Sequence, residues 1–366
     1  MRVTDVDLFR VSLPLVHEFE TSSHRKSAIE HILVRLTDES GEVGWGEIAS
    51  PTDPFYSSET VATAEMIGRD HLVPLTLARP WTHPSELAER WRIVRGHEFA
   101  KAGFDIAAWD LWSRMQGVSL SSALGGTRRQ VAAGVSLGIE PTIDGLLEQV
   151  QRHVDGGYPR VKLKIKPGWD VEPVRAVRDA FPGILLHVDA NGGYPTGSYS
   201  ITRFKRLDAF DLAMVEQPFA PREFVAHADL ARSVSTPVCL DESVVDTGDL
   251  ATMIALRAGT VLNIKVSRMG GLTPALKAYR MAQESGIAVW CGGMHEFGVG
   301  RAANVALSSL AGFHYPSDVS GSEKYYARDV IEPVVVARAG LVDVPRGPGL
   351  GHEVVMERIA PEMEVV

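Results

Sequence analysis

Apolar and polar positions follow two different rhythms along the chain, one before and one after about residue 126. In the first part, VTDVDLFRVSLPL and HILVRLTDESGEVGWGEIA predict two strands, the second folded into a hairpin by a turn at Ser40-Gly41. The stretch 86–116 carries apolar residues on one helical face, after a start signal at His83-Pro84-Ser85 and before a stop at Gly125-Gly126. Strands followed by helices predict a compact α+β domain over residues 1–125.

From about Val131 onward, short apolar runs alternate with amphipathic stretches. The helices are predicted at 142–155, 171–180, 247–257 and 274–285, the last with Thr273 as its cap and Pro274 in its first turn. Repeated βα units over residues 126–326 predict a parallel sheet, either open or closed into a barrel. The tail from Ala327 departs from this rhythm, and we expect it to pack back on the first domain. The strands are predicted in VAAGVSLGI, RVKLKI, ILLHVDA, LAMVEQP, TPVCLDE, VLNIKV and IAVWCGG.

Charged residues interrupt five successive strands of the second part near their carboxyl ends, at intervals of 25, 27, 25 and 24 residues. Because these intervals match one βα unit, the charges are expected to form a ring at one end of the sheet, where the active sites of βα barrels lie. Solvent-exposed strand ends would explain one such residue but not five in phase. The ring consists of Lys164, Asp189, Glu216, Asp241 and Lys265, with Lys162 on the same face of its strand as Lys164.

The three carboxylates of this ring form an all-oxygen set, with no histidine or cysteine at matching positions. Such a set suits Mg²⁺, for which Mn²⁺ can substitute. A lysine on either face of a bound carboxylate can remove and return the proton on its α-carbon, while Mg²⁺ stabilises the enediolate. Crowding of Lys162 and Lys164 beside the cation is expected to lower the pKa of at least one of them. The alternative interpretation pairs each lysine with a carboxylate in a structural salt bridge.

Composition narrows the class of protein without identifying the reaction. The 37 basic and 46 acidic residues give a net charge of −9, which argues against nucleic-acid and anionic-membrane binding but not against a small carboxylate substrate. Only Cys239 and Cys291 occur, so neither a disulfide framework nor a zinc cluster is expected. No export signal and no long apolar run is recognisable, so we expect a cytoplasmic enzyme without a membrane-spanning helix. We also expect a homo-oligomer.

The motifs at the strand ends resemble those of the enolase superfamily, and within it the muconate-lactonizing-enzyme subgroup. The resemblance implies an α/β fold with a (β/α)7β TIM-like barrel over residues 126–326, capped by residues 1–125 together with 327–366. It implies Lys164 and Lys265 as the acid/base pair, Lys162 as a contact of the substrate carboxylate, and the three ring carboxylates as ligands of Mg²⁺. The motifs are Lys162-Leu163-Lys164, Asp189-Ala190-Asn191, Glu216-Gln217-Pro218, Asp241-Glu242-Ser243 and Asn263-Ile264-Lys265.

Two further segments, 292–304 and 317–326, resemble o-succinylbenzoate synthases and N-succinylamino acid racemases. The resemblance implies racemisation of N-succinyl or other N-acyl amino acids, dehydration to o-succinylbenzoate in menaquinone biosynthesis, or both. A muconate-type cycloisomerase and a dipeptide epimerase are alternatives, although such epimerases carry Asp-x-Asp where this chain has Asp318-Val319-Ser320. A non-catalytic barrel that binds an anion is the alternative from a different class.

The same resemblance assigns residues around the substrate. Loops at Val16–Ser27 and Ser50–Ser58 are expected to form lids over the barrel mouth. The small residues of 298–303 are expected to let a helix N-terminus approach a substrate carboxylate, whereas a dinucleotide fingerprint would not come so late in the chain. Arg268 is either an auxiliary residue, with Glu242 and Asn263, or a surface residue in a loop. The expected substrate contacts are Lys162, Phe19, Tyr56, Ser136, Asn191, Gly293, Met294, His295 and Asp318.

Overall fold

A computed structural model describes residues 1–20, 25–359 and 363–365. Its first part is an antiparallel sheet of β1 (Val3–Glu20), β2 (Arg25–Asp38) and β3 (Val43–Ile48), in which β2 and β3 form the predicted hairpin. The loop predicted at Val16–Ser27 is wrong, because β1 and β2 remain paired up to Glu20 and Arg25. The register shifts after Pro14, which cannot donate a ladder hydrogen bond, so the extension continues beyond an irregularity. Residues 21–24 lie outside the described residues.

The helices of the first part pack against this sheet. The predicted helical stretch 86–116 is two helices, because the chain turns at Gly96 and His97, both at positive φ. The longer helix is buried on nearly all sides, not on one face as predicted. It lies close against β3, where a Cβ on Gly46 would come within 1.9 Å of the Gly103 carbonyl oxygen. The helices are α1 (Val61–Ile67), α2 (Val73–Leu77), α3 (Pro84–Trp91), α4 (Glu98–Met115) and α5 (Leu120–Leu124), with a π-helical turn at Gly68–Leu72 between α1 and α2.

The second part contains a seven-stranded parallel sheet whose strands follow chain order, and each predicted apolar run contributes to it. The strands are β5 (Gly134–Leu137), β6 (Arg160–Lys164), β7 (Leu185–Asp189), β8 (Met214–Glu216), β9 (Val238–Leu240), β10 (Val261–Ile264) and β11 (Ala288–Cys291); β4 (Gln130–Ala132) precedes them. The helices between and after them are α6 (Ile143–Asp155), α7 (Val171–Ala180), α8 (Ser198–Leu207), α9 (Phe224–Ser233), α10 (Thr247–Leu256), α11 (Leu272–Glu284) and α12 (Gly298–Ser308).

The segment 313–318 contacts both edges of this sheet. On the β11 edge, the Asp318 N–H donates to the Cys291 carbonyl at 2.8 Å, and on the β5 edge the Gly134 N–H donates to the Ser317 carbonyl at 2.8 Å. The two edge strands are thereby linked through one stretch of backbone. A small buried cluster contains the thiol of Cys239, which lies one layer below the charged ring, as the spacing predicted. The other members of the cluster are Met214, Val261 and Trp290.

The C-terminal tail returns to the first part. Its strand β16 (Met363–Val365) pairs antiparallel with β1, and the Leu350 N–H donates to Asp110 of α4 at 2.7 Å. The remaining tail elements are β12 (Ile331–Glu332), β13 (Ala337–Arg338), β14 (Leu341–Asp343), β15 (Glu353–Val354) and α13 (Met356–Ile359). Within the described ranges, no helix is both long and apolar enough to cross a membrane.

The start of α11 links the two parts and corrects one predicted cap. The helix begins at Leu272, with Gly271 at the cap position, so Thr273 does not cap it. Instead the Thr273 N–H donates to Asp105 of α4 at 2.9 Å, and its hydroxyl accepts from the Trp109 indole at 2.8 Å. A carboxylate of the first part therefore satisfies the first turn of a helix of the second.

Candidate active site

The predicted ring of charges lies together at the carboxyl end of the parallel sheet. Strands β6, β7 and β8 end at Lys164, Asp189 and Glu216, which are direct register partners in turn. Asp241 and Lys265 follow the last residues of β9 and β10. All three carboxylates are almost completely buried. Above them lies a cavity of about 290 Å³ between the two parts of the chain.

Lys164 and Lys265 reach this cavity from different strands. The Lys164 Nζ lies 2.6 Å from Asp189 Oδ2 and 2.6 Å from Asn191 Oδ1. The Lys265 Nζ lies 2.9 Å from Asp241 Oδ2, and Lys265 follows β10, which three strands separate from β6. Since both ammonium groups line the same cavity, a bound molecule between them can meet one lysine on each face.

Lys162 lies one layer deeper, and its Nζ is 3.2 Å from Glu216 Oε2 and 3.0 Å from Asp318 Oδ2. Burial lowers the pKa of Lys162, but the charges of Asp318, Glu216 and Asp189 outweigh it and raise the pKa above its ordinary value. The direction is the same for Lys265, where the Asp241 carboxylate outweighs burial. The lowered pKa that the sequence predicted for Lys162 or Lys164 applies to the site with a bound cation, and it stays a prediction.

Arg268 is buried, so its interpretation as a surface residue is wrong. The chain turns inward after Lys265, and the Arg268 guanidinium donates to Asp241 Oδ1 and, at 2.9 Å, to the Asn263 carbonyl. Burial raises the pKa of Asp241, but Arg268 and Lys265 outweigh it and hold that pKa well below its usual range. One carboxylate oxygen of Asp241 therefore faces Arg268 and the other faces Lys265.

The loop Ser50–Ser58 brings Tyr56 to the cavity at the carboxyl end of the parallel sheet, as predicted. The Tyr56 hydroxyl lies 3.0 Å from Lys265 Nζ and 3.3 Å from Arg268, and Lys265 lies over the Tyr56 ring at 4.9 Å. Burial, followed by the charge of Asp241, raises the pKa of Tyr56 to about 12, so the hydroxyl is a neutral hydrogen-bonding group at neutral pH. The loop of the first part thereby contacts the second lysine directly.

Most of the expected substrate contacts line the cavity, while the side chain of Phe19 lies outside the described residues. Asn191 also donates to Glu242 at 2.9 Å, and burial raises the pKa of Glu242 to about 8. Asn263 lies below the cavity, where it donates to Glu216 at 2.6 Å. The residues brought together at the cavity are Tyr56, Ser136, Lys162, Lys164, Asn191, Glu242, Lys265, Gly293, Met294, His295 and Asp318.

Two family models match the chain, and together they cover most of it. Residues 3–125 match the N-terminal domain of mandelate racemase / muconate lactonizing enzyme, and residues 145–358 match the enolase C-terminal domain-like family. The chain belongs to the enolase superfamily. The resemblance drawn from the strand-end motifs is thereby confirmed.

Similar superfamily members are enzymes with two different names. The chain is 43% identical to an o-succinylbenzoate synthase from Geobacillus kaustophilus, over 95% of this chain and 92% of that protein. It is 44% identical to an N-succinylamino acid racemase from Amycolatopsis sp, over 96% and 95% of the two chains. A superfamily member from Listeria innocua has a TM-score of 0.96 at 35% identity, covering 100% of this chain and 98% of that one. The chain is thus an enzyme of this superfamily.

The N-terminus of α12 does not face a substrate, contrary to prediction, because acidic residues of the chain itself occupy it. Glu47 of β3 accepts from the backbone N–H groups of Phe297 and Gly300, both at 2.8 Å, and Asp329 accepts from that of Gly298 at 2.8 Å. The small residues serve this packing, since a Cβ on Gly298 would lie 2.2 Å from a side-chain carbon of Ile331. The helix start therefore joins the two parts of this superfamily member.

Several cavity residues were not predicted. His31 of β2 lines the cavity and shares a 2.7 Å contact with Glu47, while Lys26 of the same strand lines it further out. The polar residue within the apolar run of β2 was the available signal for His31. The other unpredicted lining residues include Phe55, Glu296, Arg301 and Tyr325, whose places depend on how the two parts meet.

The ring carboxylates fit a divalent cation by their chemistry. They are three oxygen donors on successive strands, and burial together with the charge of Glu216 raises the pKa of Asp189, a repulsion that a cation would relieve. The lysines occupy these oxygens in the present arrangement. In the described part of the chain, no group of three or more acidic, histidine or cysteine side chains stands closed around a metal position. A cation would therefore replace ammonium partners, with Asp189, Glu216 and Asp241 as its ligands.

Proposed function

We propose that the chain is a Mg²⁺-dependent enzyme that removes the proton α to the carboxylate of an N-succinyl or other N-acyl amino acid, and that it racemises this substrate, forms o-succinylbenzoate from a related acid, or does both. The observation that carries the proposal is the placement of Lys164 and Lys265 at one cavity, after strands β6 and β10, which three other strands separate. Relatives of over 40% identity with nearly full coverage bear both enzyme names.

The substrate carboxylate binds at the floor of the cavity, where Lys162 offers an ammonium group among the buried acids. Mg²⁺ held by Asp189, Glu216 and Asp241 supplies stabilisation of the negative charge that develops on the carboxylate oxygens. Asn191 lies 2.6 Å from Lys164 and gives that lysine a neutral partner besides Asp189. Lys164 is thereby able to exchange a carboxylate contact for a substrate proton without losing every hydrogen bond.

Racemisation and dehydration require different roles of Lys265. In racemisation, Lys164 as the neutral amine takes the α-proton from one face and Lys265 as the ammonium delivers a proton to the other, and the two roles reverse for the opposite enantiomer. In dehydration, Lys164 takes the proton and returns it to the departing hydroxyl, while Lys265 stabilises charge by staying protonated. The close contacts of Lys265 with Asp241 and Tyr56 are compatible with either role.

The proposal includes a closed barrel, a cap made from both ends of the chain, and a location in the cell. The bonds of segment 313–318 to both sheet edges support a closed (β/α)7β barrel, and the pairing of β16 with β1 supports a cap of residues 1–125 completed by 327–366. We place the enzyme in the cytoplasm, with menaquinone biosynthesis as its pathway if the synthase reaction is its main one. The loop carrying Tyr56 excludes water from the reacting carbon.

The test is a screen of purified enzyme with Mg²⁺ against N-succinyl amino acids of both configurations and against the synthase substrate. We expect turnover of at least one of these classes, and loss of it in both K164A and K265A. K277A, which changes an exposed lysine of α11, serves as the matched control and retains turnover. Tight binding of the whole panel without reaction would contradict the proposal and favour a non-catalytic anion-binding barrel.

A further inference from the structure

Three cations stand on the inward face of β6, at alternate positions of one short strand. Arg160, Lys162 and Lys164 are two residues apart, so their side chains point to the same side at successive depths. Lys162 and Lys164 line the cavity, whereas Arg160 lies beneath them and is completely buried. A buried guanidinium requires hydrogen-bond partners, and one partner of Arg160 also contacts a lysine that lines the cavity.

The partner that connects Arg160 to the cavity is Asp318. One Asp318 oxygen accepts from Arg160, and the other lies 3.0 Å from the Lys162 Nζ. Both cations also lie over the same ring of Trp290, with 5.0 Å from the Arg160 guanidinium carbon and 4.7 Å from the Lys162 Nζ to the ring centre. The two cations thus share one carboxylate and one aromatic ring.

The remaining donors of Arg160 fix its orientation. Its Nε donates to the Pro316 carbonyl at 3.1 Å, and its third nitrogen lies 3.3 Å from Nδ1 of His187. Because a guanidinium only donates, His187 must accept at Nδ1 and carry its proton at Nε2, which lies 3.0 Å from Glu216. Gly134 leaves the necessary room, since a Cβ there would lie 2.1 Å from the Arg160 guanidinium. The planar fork is therefore held at every nitrogen.

We propose that Arg160 is a positioning residue, which holds Asp318 against Lys162 and so sets the place of the ammonium group that receives the substrate carboxylate. Arg160 touches no substrate and acts through Asp318. Burial raises the pKa of Asp318, but Lys162 and Arg160 outweigh it and keep that pKa well below its usual range, which agrees with a carboxylate shared by two cations. The inference rests on the proposed function for the role of Lys162, although the contacts do not depend on it.

The test compares R160M and R160K with R178M. Arg178 is the matched control, because it donates to the backbone carbonyls of Phe210, Ile184 and Asp211 and does not line the cavity. In R160M we expect KM for the N-succinyl substrate to rise about tenfold or more, as for a lost charged hydrogen bond, with a smaller change in kcat. R160K restores thermal stability but not KM, since one ammonium cannot reproduce the fork. R178M lowers Tm and leaves KM unchanged.

A double-mutant cycle separates positioning from mere support of the fold. If Arg160 acts through Asp318, R160M has little further effect on KM in a D318N background. Independent, additive effects on KM, or a folded R160M with unchanged KM, would overturn the proposal. Should R160M fail to fold, R160K and D318N carry the same comparison.

A readout without turnover keeps this proposal distinct from the proposed function. In the protein with lysine labelled with ¹⁵N, the ammonium signal of Lys162 is assigned by its absence in K162M. We expect this signal to shift in both R160M and R160K and to stay in place in R178M. An unshifted signal in both Arg160 variants would overturn the role of Arg160, whereas failure of the substrate screen with a shifted signal would overturn only the proposed reaction.

Discussion

Buried carboxylates occur both around the cavity and where the two parts of the chain meet, and their partners differ. Around the cavity, Asp189 and Asp241 face ammonium and guanidinium groups of other side chains. At the junction, Glu47 and Asp105 accept from backbone N–H groups at helix starts. Around the cavity, the partners are the ends of long, flexible side chains. At the junction, the partners are backbone N–H groups whose positions are fixed by the helices.

This difference in partners separates carboxylates that can take part in binding and catalysis from carboxylates that stabilise the fold. A carboxylate paired with a lysine can exchange that partner for a cation or a substrate, because the lysine can move away without unfolding a helix. A carboxylate that satisfies helix N–H groups has no such freedom, since its removal leaves buried donors without partners. We therefore expect changes around the cavity to alter turnover and changes at the junction to alter stability.

Removal of divalent cations is expected to give the largest effect. After exhaustive chelation, turnover should fall at least about 100-fold, because charge developing on the substrate loses its main stabilisation, and Mg²⁺ or Mn²⁺ should restore it. Thermal unfolding should move to a lower temperature because the bound cation stabilises the folded state, but the fold should persist, since the lysines partner the carboxylates. Retained turnover in metal-free enzyme, checked by elemental analysis, would contradict the assignment of Asp189, Glu216 and Asp241.

The substitution E47Q tests the junction. Glu47 accepts from two backbone N–H groups and contacts His31, so loss of its charge is expected to lower the free energy of unfolding by about 2–4 kcal/mol. Urea unfolding measures this effect. The control E353Q removes an exposed partner of Arg114 and should cost less than about 1 kcal/mol. Equal costs for the two variants would remove the distinction between the groups of acids.

The pH dependence of stability tests Asp105 at the same junction. Burial raises the pKa of Asp105 to about 7, above its value of 3.8 in the unfolded chain. A raised pKa contributes stability that is full below about pH 4 and is lost as pH rises towards about 7, at up to about 1.4 kcal/mol per unit. The difference in unfolding free energy between the wild type and D105N should fall over this range. A difference independent of pH would contradict the burial of this carboxyl group.

The smallest expected effect is that of Y56F. It removes a hydroxyl 3.0 Å from Lys265 and 3.3 Å from Arg268 but keeps the ring over the lysine. Loss of this shared acceptor, with both cations retaining Asp241, is expected to lower kcat/KM about 3- to 10-fold, without a large change in Tm. Steady-state kinetics and a thermal melt measure the two. A loss beyond about 100-fold would give Tyr56 a role in proton transfer that the present account does not include.

The features that could be predicted from the sequence are those that repeat at a regular interval along it. The intervals between Lys164, Asp189, Glu216, Asp241 and Lys265 carry the βα rhythm, so both the parallel sheet and the level of the charges followed from spacing alone. Their mutual contacts around a cavity agree with the prediction. The assignment of catalytic and metal-binding roles remains a prediction until the experiments above are done.

What the sequence could not predict depends on contacts between distant segments. The acceptors at the start of α12, Glu47 and Asp329, come from another sheet and from the tail, and no local signal links them to residue 298. Likewise, Arg268 looks like a loop residue until the turn after Lys265 directs it to Asp241. The strand pairing beyond Pro14 was missed because the polar segment 16–27 that follows it has the composition of a loop.

The proposed racemisation requires two lysines that serve opposite faces of one α-carbon. The most direct measurement is exchange of the α-proton with D₂O, followed by NMR for each enantiomer of an N-succinyl amino acid that the enzyme racemises. The wild type and K277A should exchange the proton of both enantiomers. K164A should lose exchange from one enantiomer and K265A from the other. Loss of exchange from the same enantiomer in both variants, or exchange from both enantiomers in either one, would contradict the account.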